Sequence, residues 1–304
     1  MEDKGRISIR NFRPSDLGAY VQLVNEIDRV DRLGKAISLE HMKECLGQPG
    51  YHPEEDLFFA EQDGVLVGYA DIFPELEVGR VILDGAVHPD YRRRGVGKRL
   101  MEIALEQSRA MGAKLVHLAL PQQSKDIQRL VQERGFKLVR RRWQMGLKRY
   151  RESLHLPQGF QLRHYLPGDE KRLCTLQNLA FAGSWGFRPN TVEQIRYLLN
   201  MSLCHSEGII FITEGERVVG YCLTMDDPVE KGKGYIRMMG VDPLYRGQGL
   251  GRAVLLAGID YLQRRGMGAI ELTVDSRNPV ATKLYRSVGF RRKGIILWYQ
   301  KTLS

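Results

Sequence analysis

Two short stretches of this 304-residue chain carry residue types suited to holding phosphate. The first reads Val87-His88-Pro89-Asp90-Tyr91-Arg92-Arg93-Arg94-Gly95-Val96-Gly97. The second reads Val241-Asp242-Pro243-Leu244-Tyr245-Arg246-Gly247-Gln248-Gly249-Leu250-Gly251, followed by Arg252. In each, a strand-like apolar run leads through a glycine-rich turn into a segment of helical period. A helix start presents amide N–H groups without partners and the positive end of the helix dipole. Glycines let a phosphate approach that backbone, and the arginines add positive charge. One such turn reads equally well as a plain tight turn; two in the same setting point to pyrophosphate binding. Neither is a nucleotide P-loop, since Gly251 is followed by Arg252-Ala253, and both lack the spacing of the dinucleotide fingerprint.

Stepping from Val87 to Val241 is a displacement of 154 residues, and Gly135-Phe136 recurs at the same displacement as Gly289-Phe290. Arg10, Pro14 and Asp16 recur as Arg163, Pro167 and Asp169, and Gly68-Tyr69 as Gly220-Tyr221. Anchors in one order at nearly one offset make the chain two copies of a single domain. The expected division is 1–152 and 153–304, with the join in the polar stretch Lys148 to Gly159.

In the second copy, period and turn residues predict strands over Phe160–Arg163, Gly208–Thr213, Arg217–Thr224, Tyr235–Val241, Ala269–Val274 and Lys293–Gln300. Helices are expected after Pro167-Gly168-Asp169, after Thr191, from Gly249 to Leu262 and from Pro279 to Ser287. Hairpins followed by late crossovers imply an α/β (α+β) class. Each domain would be a mixed, mostly antiparallel sheet flanked by helices.

Hydrophobic residues make up 43% of the chain and charged residues 27%, the balance of a soluble globular protein. No apolar run nears the roughly 18 residues of a membrane span, and the first residues lack a charged-then-apolar pattern, so no signal peptide is expected. Cys45, Cys174, Cys204 and Cys222 show no metal-ligand spacing and read as reduced thiols, so no metal is expected and the expected location is cytoplasmic. The net charge of +10 admits a polyanionic partner. Its basic clusters lack interleaved aromatics, which argues for a phosphorylated cosubstrate over nucleic acid.

The stretch Val241–Gly251 resembles the acetyl-CoA motif of the GNAT acetyltransferase superfamily. Asn278, Ala281, Leu284-Tyr285 and Gly289-Phe290 resemble its closing motif. The resemblance covers nearly the whole chain twice, as in tandem members of the superfamily. It implies acetyl-CoA as cosubstrate and direct attack by a primary amine of a small molecule or a protein. It places Tyr285 as the acid that protonates the departing thiolate. It implies cofactor contacts at Met239, Gly240, Val241, Arg246, Gly247, Gln248, Gly249, Leu250, Gly251, Arg252 and Asn278. In the first copy the matching contacts are Val87, Arg92, Arg93, Arg94, Gly95, Val96 and Gly97.

Plainer roles stand beside these. Tyr285 falls in the apolar helical set Ala281, Leu284, Val288, and Asn278 before Pro279 fits a helix cap. Asp226, Asp227 and Asp275 are candidate bases, each equally a turn or surface carboxylate. The connection Phe181–Pro189 is a candidate acceptor-binding loop. In the first copy Asn278, Ala281 and Tyr285 become Ser124, Ile127 and Val131. Valine donates no proton, so the first copy is expected to bind CoA without the tyrosine route. The alternative for the whole chain is a non-catalytic acyl-CoA-binding or regulatory protein.

Overall fold

The computed structural model describes residues 7–148, 150 and 152–303. The first half forms β1 (Ser8–Asn11), α1 (Leu17–Asp31), α2 (Leu39–Leu46), α3 (Pro53–Asp56), β2 (Leu57–Gln62), β3 (Val65–Glu75), β4 (Arg80–Val87), α4 (Val96–Ala110), β5 (Leu115–Pro121), α5 (Lys125–Glu133) and β6 (Lys137–Leu147). The second half forms β7 (Gln161–His164), α6 (Glu170–Phe181), α7 (Val192–Leu199), β8 (Ile209–Glu214), β9 (Arg217–Asp226), β10 (Lys233–Val241), α8 (Leu250–Arg264), β11 (Ala269–Asp275), α9 (Pro279–Val288) and β12 (Arg291–Thr302). This is the expected mixed α/β fold in two tandem copies.

Contacts divide the chain into two compact units. One runs to Arg141 and takes in the stretch from Ile295; the other is Arg142–Gly294. The expected cut between residues 152 and 153 misses an exchange of last strands. In the first unit, Leu115–Pro121 of β5 pairs antiparallel with Ile296–Thr302. In the second, Ile270–Asp275 of β11 pairs antiparallel with Arg142–Leu147. Both closing strands carry the same inward alternation, Leu297 and Tyr299 in one and Met145 and Leu147 in the other. Either strand therefore satisfies either core, and period alone does not say which sheet takes it.

Within each unit the strands feed two cores, one on each face of the sheet. Leu57 and Phe59 of β2 join Tyr20, Leu23 and Ile27 of α1. Phe58 and Ala60 face the other way, toward Val96, Leu100 and Ala104 of α4. The second unit repeats this: Phe211, Tyr221 and Leu223 pack on α6, whereas Ile212 and Cys222 pack on Val254 and Leu255 of α8. Successive strand side chains alternate faces, so apolar residues at every position mark strands buried on both sides.

One repeated marker has a structural explanation. Arg10 donates to both carboxylate oxygens of Asp16 at 2.7 and 2.9 Å, and Arg163 to both of Asp169 at 2.6 and 2.9 Å. Each aspartate also accepts a backbone amide, from Arg13 and from Leu166. The two-pronged pair fixes the first strand to the start of the first helix in each copy.

Candidate functional site

The site in each unit begins where two parallel strands part. In the second unit, β10 and β11 pair only over Lys233–Tyr235 and Ala269–Glu271. From Ile236 onward β10 keeps its β9 partners alone, with an irregularity between Ile236 and Met238. Met239, Gly240 and Val241 thus present one edge to an open gap. In the first unit β4 and β5 pair over Arg80–Leu83 and Leu115–Leu118, and Asp84–Val87 border the gap.

Each parted strand ends in a short turn, Pro89–Tyr91 or Pro243–Tyr245, and then the glycine loop. Gly95 and Gly249 are the N-caps of α4 and α8, at φ 82° and 83°. That left-handed backbone turns the first helical amides outward and favours glycine. Among the described residues, the amides of Arg93–Lys98 and of Gly247–Gly251 make no hydrogen bond. A side chain added at Gly95 or Gly247 would meet nothing within 4 Å, so a ligand has room there. An unpartnered amide row at a helix start is the donor set a pyrophosphate needs.

The loop arginines divide their work. Arg246 donates to the Val241 carbonyl at 3.3 Å and to the Ala180 carbonyl at 2.7 Å. Arg92 donates to the Val87 carbonyl and forks onto Asp31. Arg252 bonds Ser287 and Glu152. These three therefore brace the loop as well as adding charge. Arg94 lies over the Tyr91 ring, and Gln248 is exposed. Arg93 stands at φ 63°, where the second copy has Gly247. Leu250 and Val96 are 1% exposed and anchor their helices in the cores. Gly97 faces Val87 and Leu130, and Gly251 faces Val241 and Leu284, so the loop geometry repeats in both units.

Tyr285 is 8% exposed, meets Phe290 edge-on at 5.9 Å and shares a core with Val241 and Cys222. Burial raises its hydroxyl above the ordinary tyrosine range, so it stays protonated at neutral pH. Its position is that of a core residue that keeps a hydroxyl proton. Asn278 accepts the Ala281 amide at 3.0 Å, which makes it the cap of α9. Val131, at Tyr285's place in the first copy, is fully buried.

Three candidate bases are absorbed by structure. Asp226 pairs with His205 and Arg265, and Asp227 accepts the Val229 and Glu230 amides. Asp226 lies opposite Gly234, six residues along β10 from Gly240, or roughly 20 Å. Asp275 accepts the Arg277 amide in the turn before α9.

The loop Phe181–Pro189 comes to the site through its first residue. A side chain at Gly240 would sit 2.9 Å from both Ala180 and Tyr221 and 3.5 Å from Phe181, so only glycine admits this approach. Phe181 stacks on Phe187 with ring centres 6.0 Å apart.

Several site residues escape sequence reasoning. Tyr221 is fully buried beside Gly240, and its hydroxyl has no partner. Its counterpart Tyr69 donates to Asp84 at 3.3 Å. The repeated Gly-Tyr pair was the available signal. In the first unit a cavity of about 340 Å³ runs from Gly95 and Gly97 past Ala86 to Asp84, Tyr69 and Lys35. Among the described residues no group of three or more His, Cys, Asp or Glu could hold a metal ion, and no helix is long and apolar enough to cross a membrane.

The model of the Acetyltransferase (GNAT) family matches residues 26–136 and again 171–290. A mycothiol acetyltransferase of Thermomonospora curvata is 31% identical over 79% of this chain and 80% of its own length. That of Geodermatophilus obscurus is 30% identical over 90% of this chain and 96% of its own. Among solved structures, a GCN5-related N-acetyltransferase from Sphaerobacter thermophilus is 25% identical, with a TM-score of 0.78, covering 99% of this chain and 96% of that one. A tandem GNAT protein from the clavulanic acid biosynthesis pathway shares the fold at 16% identity and a TM-score of 0.77, covering 98% of each chain.

Proposed function

The chain belongs to the acetyltransferase (GNAT) family, and from that premise we propose that it moves the acetyl group of acetyl-CoA to a primary amine, with the chemistry in the second unit. The observation that carries this is the row of open amides from Gly247 to Gly251, continuous with the parted edge of Met239–Val241. The first feature suits the pyrophosphate of CoA. The second suits the pantetheine arm, which pairs with backbone as a strand would.

When bound, acetyl-CoA supplies a thioester carbon open to attack. The backbone N–H groups at the parted edge would polarise its carbonyl. Tyr285, protonated and buried beside the same strand, would give its proton to the departing sulfur. Phe181 and Phe187 border the acceptor side. The relatives are named mycothiol acetyltransferases, and a small-molecule amine is the acceptor class proposed here. We extend cofactor binding to the first unit, whose loop has the same open amides, with Val131 removing the tyrosine route there.

The test follows release of free CoA thiol across a panel of primary amines, for the wild-type chain and Gly249→Asp. Amine-dependent release that the variant loses supports the proposal. Release that no amine accelerates overturns it.

A further inference from the structure

The cavity of the first unit holds an amine of the protein's own. Lys35 and Asp84 both line it, together with Gly95 and Gly97 of the phosphate loop. Lys35 Nζ lies 2.6 Å from Asp84 Oδ1. Asp84 is the first residue of β4 beyond its pairing with β5, so it stands at the apex of the gap. The Tyr69 hydroxyl donates to its other oxygen at 3.3 Å.

Lys35 is also held from behind. Its backbone amide donates to Asp28 Oδ1 at 2.8 Å, and the Leu33 amide donates to the same oxygen at 3.0 Å. The turn that carries them has Arg32 at φ 52° and Gly34 at φ 69°. This folded turn fixes the Lys35 backbone beside the cavity, and the side chain, still open to solvent on one side, lines the wall with Asp84. The second copy has Met238 where the first has Asp84, so the carboxylate belongs to the first unit alone.

We propose that Lys35 is an internal acyl acceptor: the first unit transfers the acyl group of a CoA thioester onto Lys35, with Asp84 as the base. This rests on the reading that the first loop holds CoA. Asp84 takes a proton from the Lys35 ammonium, and the freed lone pair of Nζ attacks the thioester carbon. A C–N bond forms and the C–S bond breaks. CoA leaves as thiolate and is protonated; of the two protons lysine gives up, one ends on sulfur and one in water. The product is a neutral amide, and the Lys35–Asp84 ion pair is gone. The first unit is thereby switched between a paired and an open Asp84.

The experiment incubates the full chain with acetyl-CoA and follows intact mass and peptide mapping, with calorimetry of acetyl-CoA binding on Gly249→Asp in parallel. The expected result is one acetyl increment on Lys35, absent from Lys35→Arg and from Gly95→Asp. It persists in Tyr285→Phe, which separates it from second-unit chemistry, and slows roughly 10²-fold in Asp84→Asn. Binding to the first loop without label on Lys35, or label spread over surface lysines equally in Asp84→Asn, overturns the proposal alone. No binding to the first loop overturns both it and the reading on which it rests.

Discussion

Arg246 ties the glycine loop of the second unit to the last turn of α6 by donating Nη2 to the Ala180 carbonyl at 2.7 Å. The first unit reaches the same end differently, with Arg92 forked onto Asp31 of α1 at 2.9 and 2.6 Å. In both, the arginine preceding the glycines braces the loop against the helix that borders the gap. Arg246→Ala is therefore expected to lower the stability of the second unit by about 1 kcal/mol, since the bond is solvent-exposed. It should also weaken acetyl-CoA binding by roughly tenfold, or about 1.4 kcal/mol. Denaturant unfolding and calorimetry measure the two effects, and Arg246→Lys should recover the charge without the brace.

Tyr285→Phe keeps the ring on Phe290 and in the core while removing the proton. Turnover with the best amine should fall roughly 10²-fold while the KM for acetyl-CoA stays within about twofold. Steady-state kinetics decide this; unchanged turnover would leave Tyr285 a packing residue only.

Arg93 holds a left-handed backbone that costs a side-chain-bearing residue about 1 kcal/mol. Replacing it by glycine, as at Gly247, should stabilise the first unit by up to that amount and slightly weaken its hold on CoA. Thermal unfolding with and without acetyl-CoA separates the two.

Asp71 lies opposite Asp84 in the β3–β4 register and accepts the Tyr51 hydroxyl at 2.7 Å. Burial, with Asp84 nearby, pushes its carboxyl up to about 7. An unfolded aspartate titrates at about 3.9. The folded chain therefore retains a proton on Asp71 that the unfolded chain has lost. Its contribution to stability falls as pH rises from about 4 to about 7 and is level above that. Asp71→Asn should remove this slope, as followed by the unfolding midpoint across that range.

Much of this was legible in the sequence because the informative residues act locally. Gly95 and Gly249 cap helices by their own backbone freedom, and Asn278 caps α9 three residues ahead. The repeated Arg10–Asp16 and Arg163–Asp169 pairs span six residues each. What stayed hidden depends on distant pairing. The exchange of Arg142–Leu147 and Ile295–Thr302 leaves the alternation of both strands unchanged. Asp226 is tied up by His205 and Arg265, partners 21 and 39 residues away that no local pattern reveals. Lys35 and Asp84 are 49 residues apart, and neither sits in a motif.

Calorimetric titration of acetyl-CoA into the full chain and into Gly249→Asp and Gly95→Asp asks whether both glycine loops hold CoA. Aspartate in either loop repels the pyrophosphate from the open amides. Two sites are expected in the wild-type chain and one in each variant. Amine-dependent turnover should be lost only with Gly249→Asp. Binding that survives both substitutions unchanged, or no binding at all, would contradict the assignment of the two glycine loops as CoA cradles.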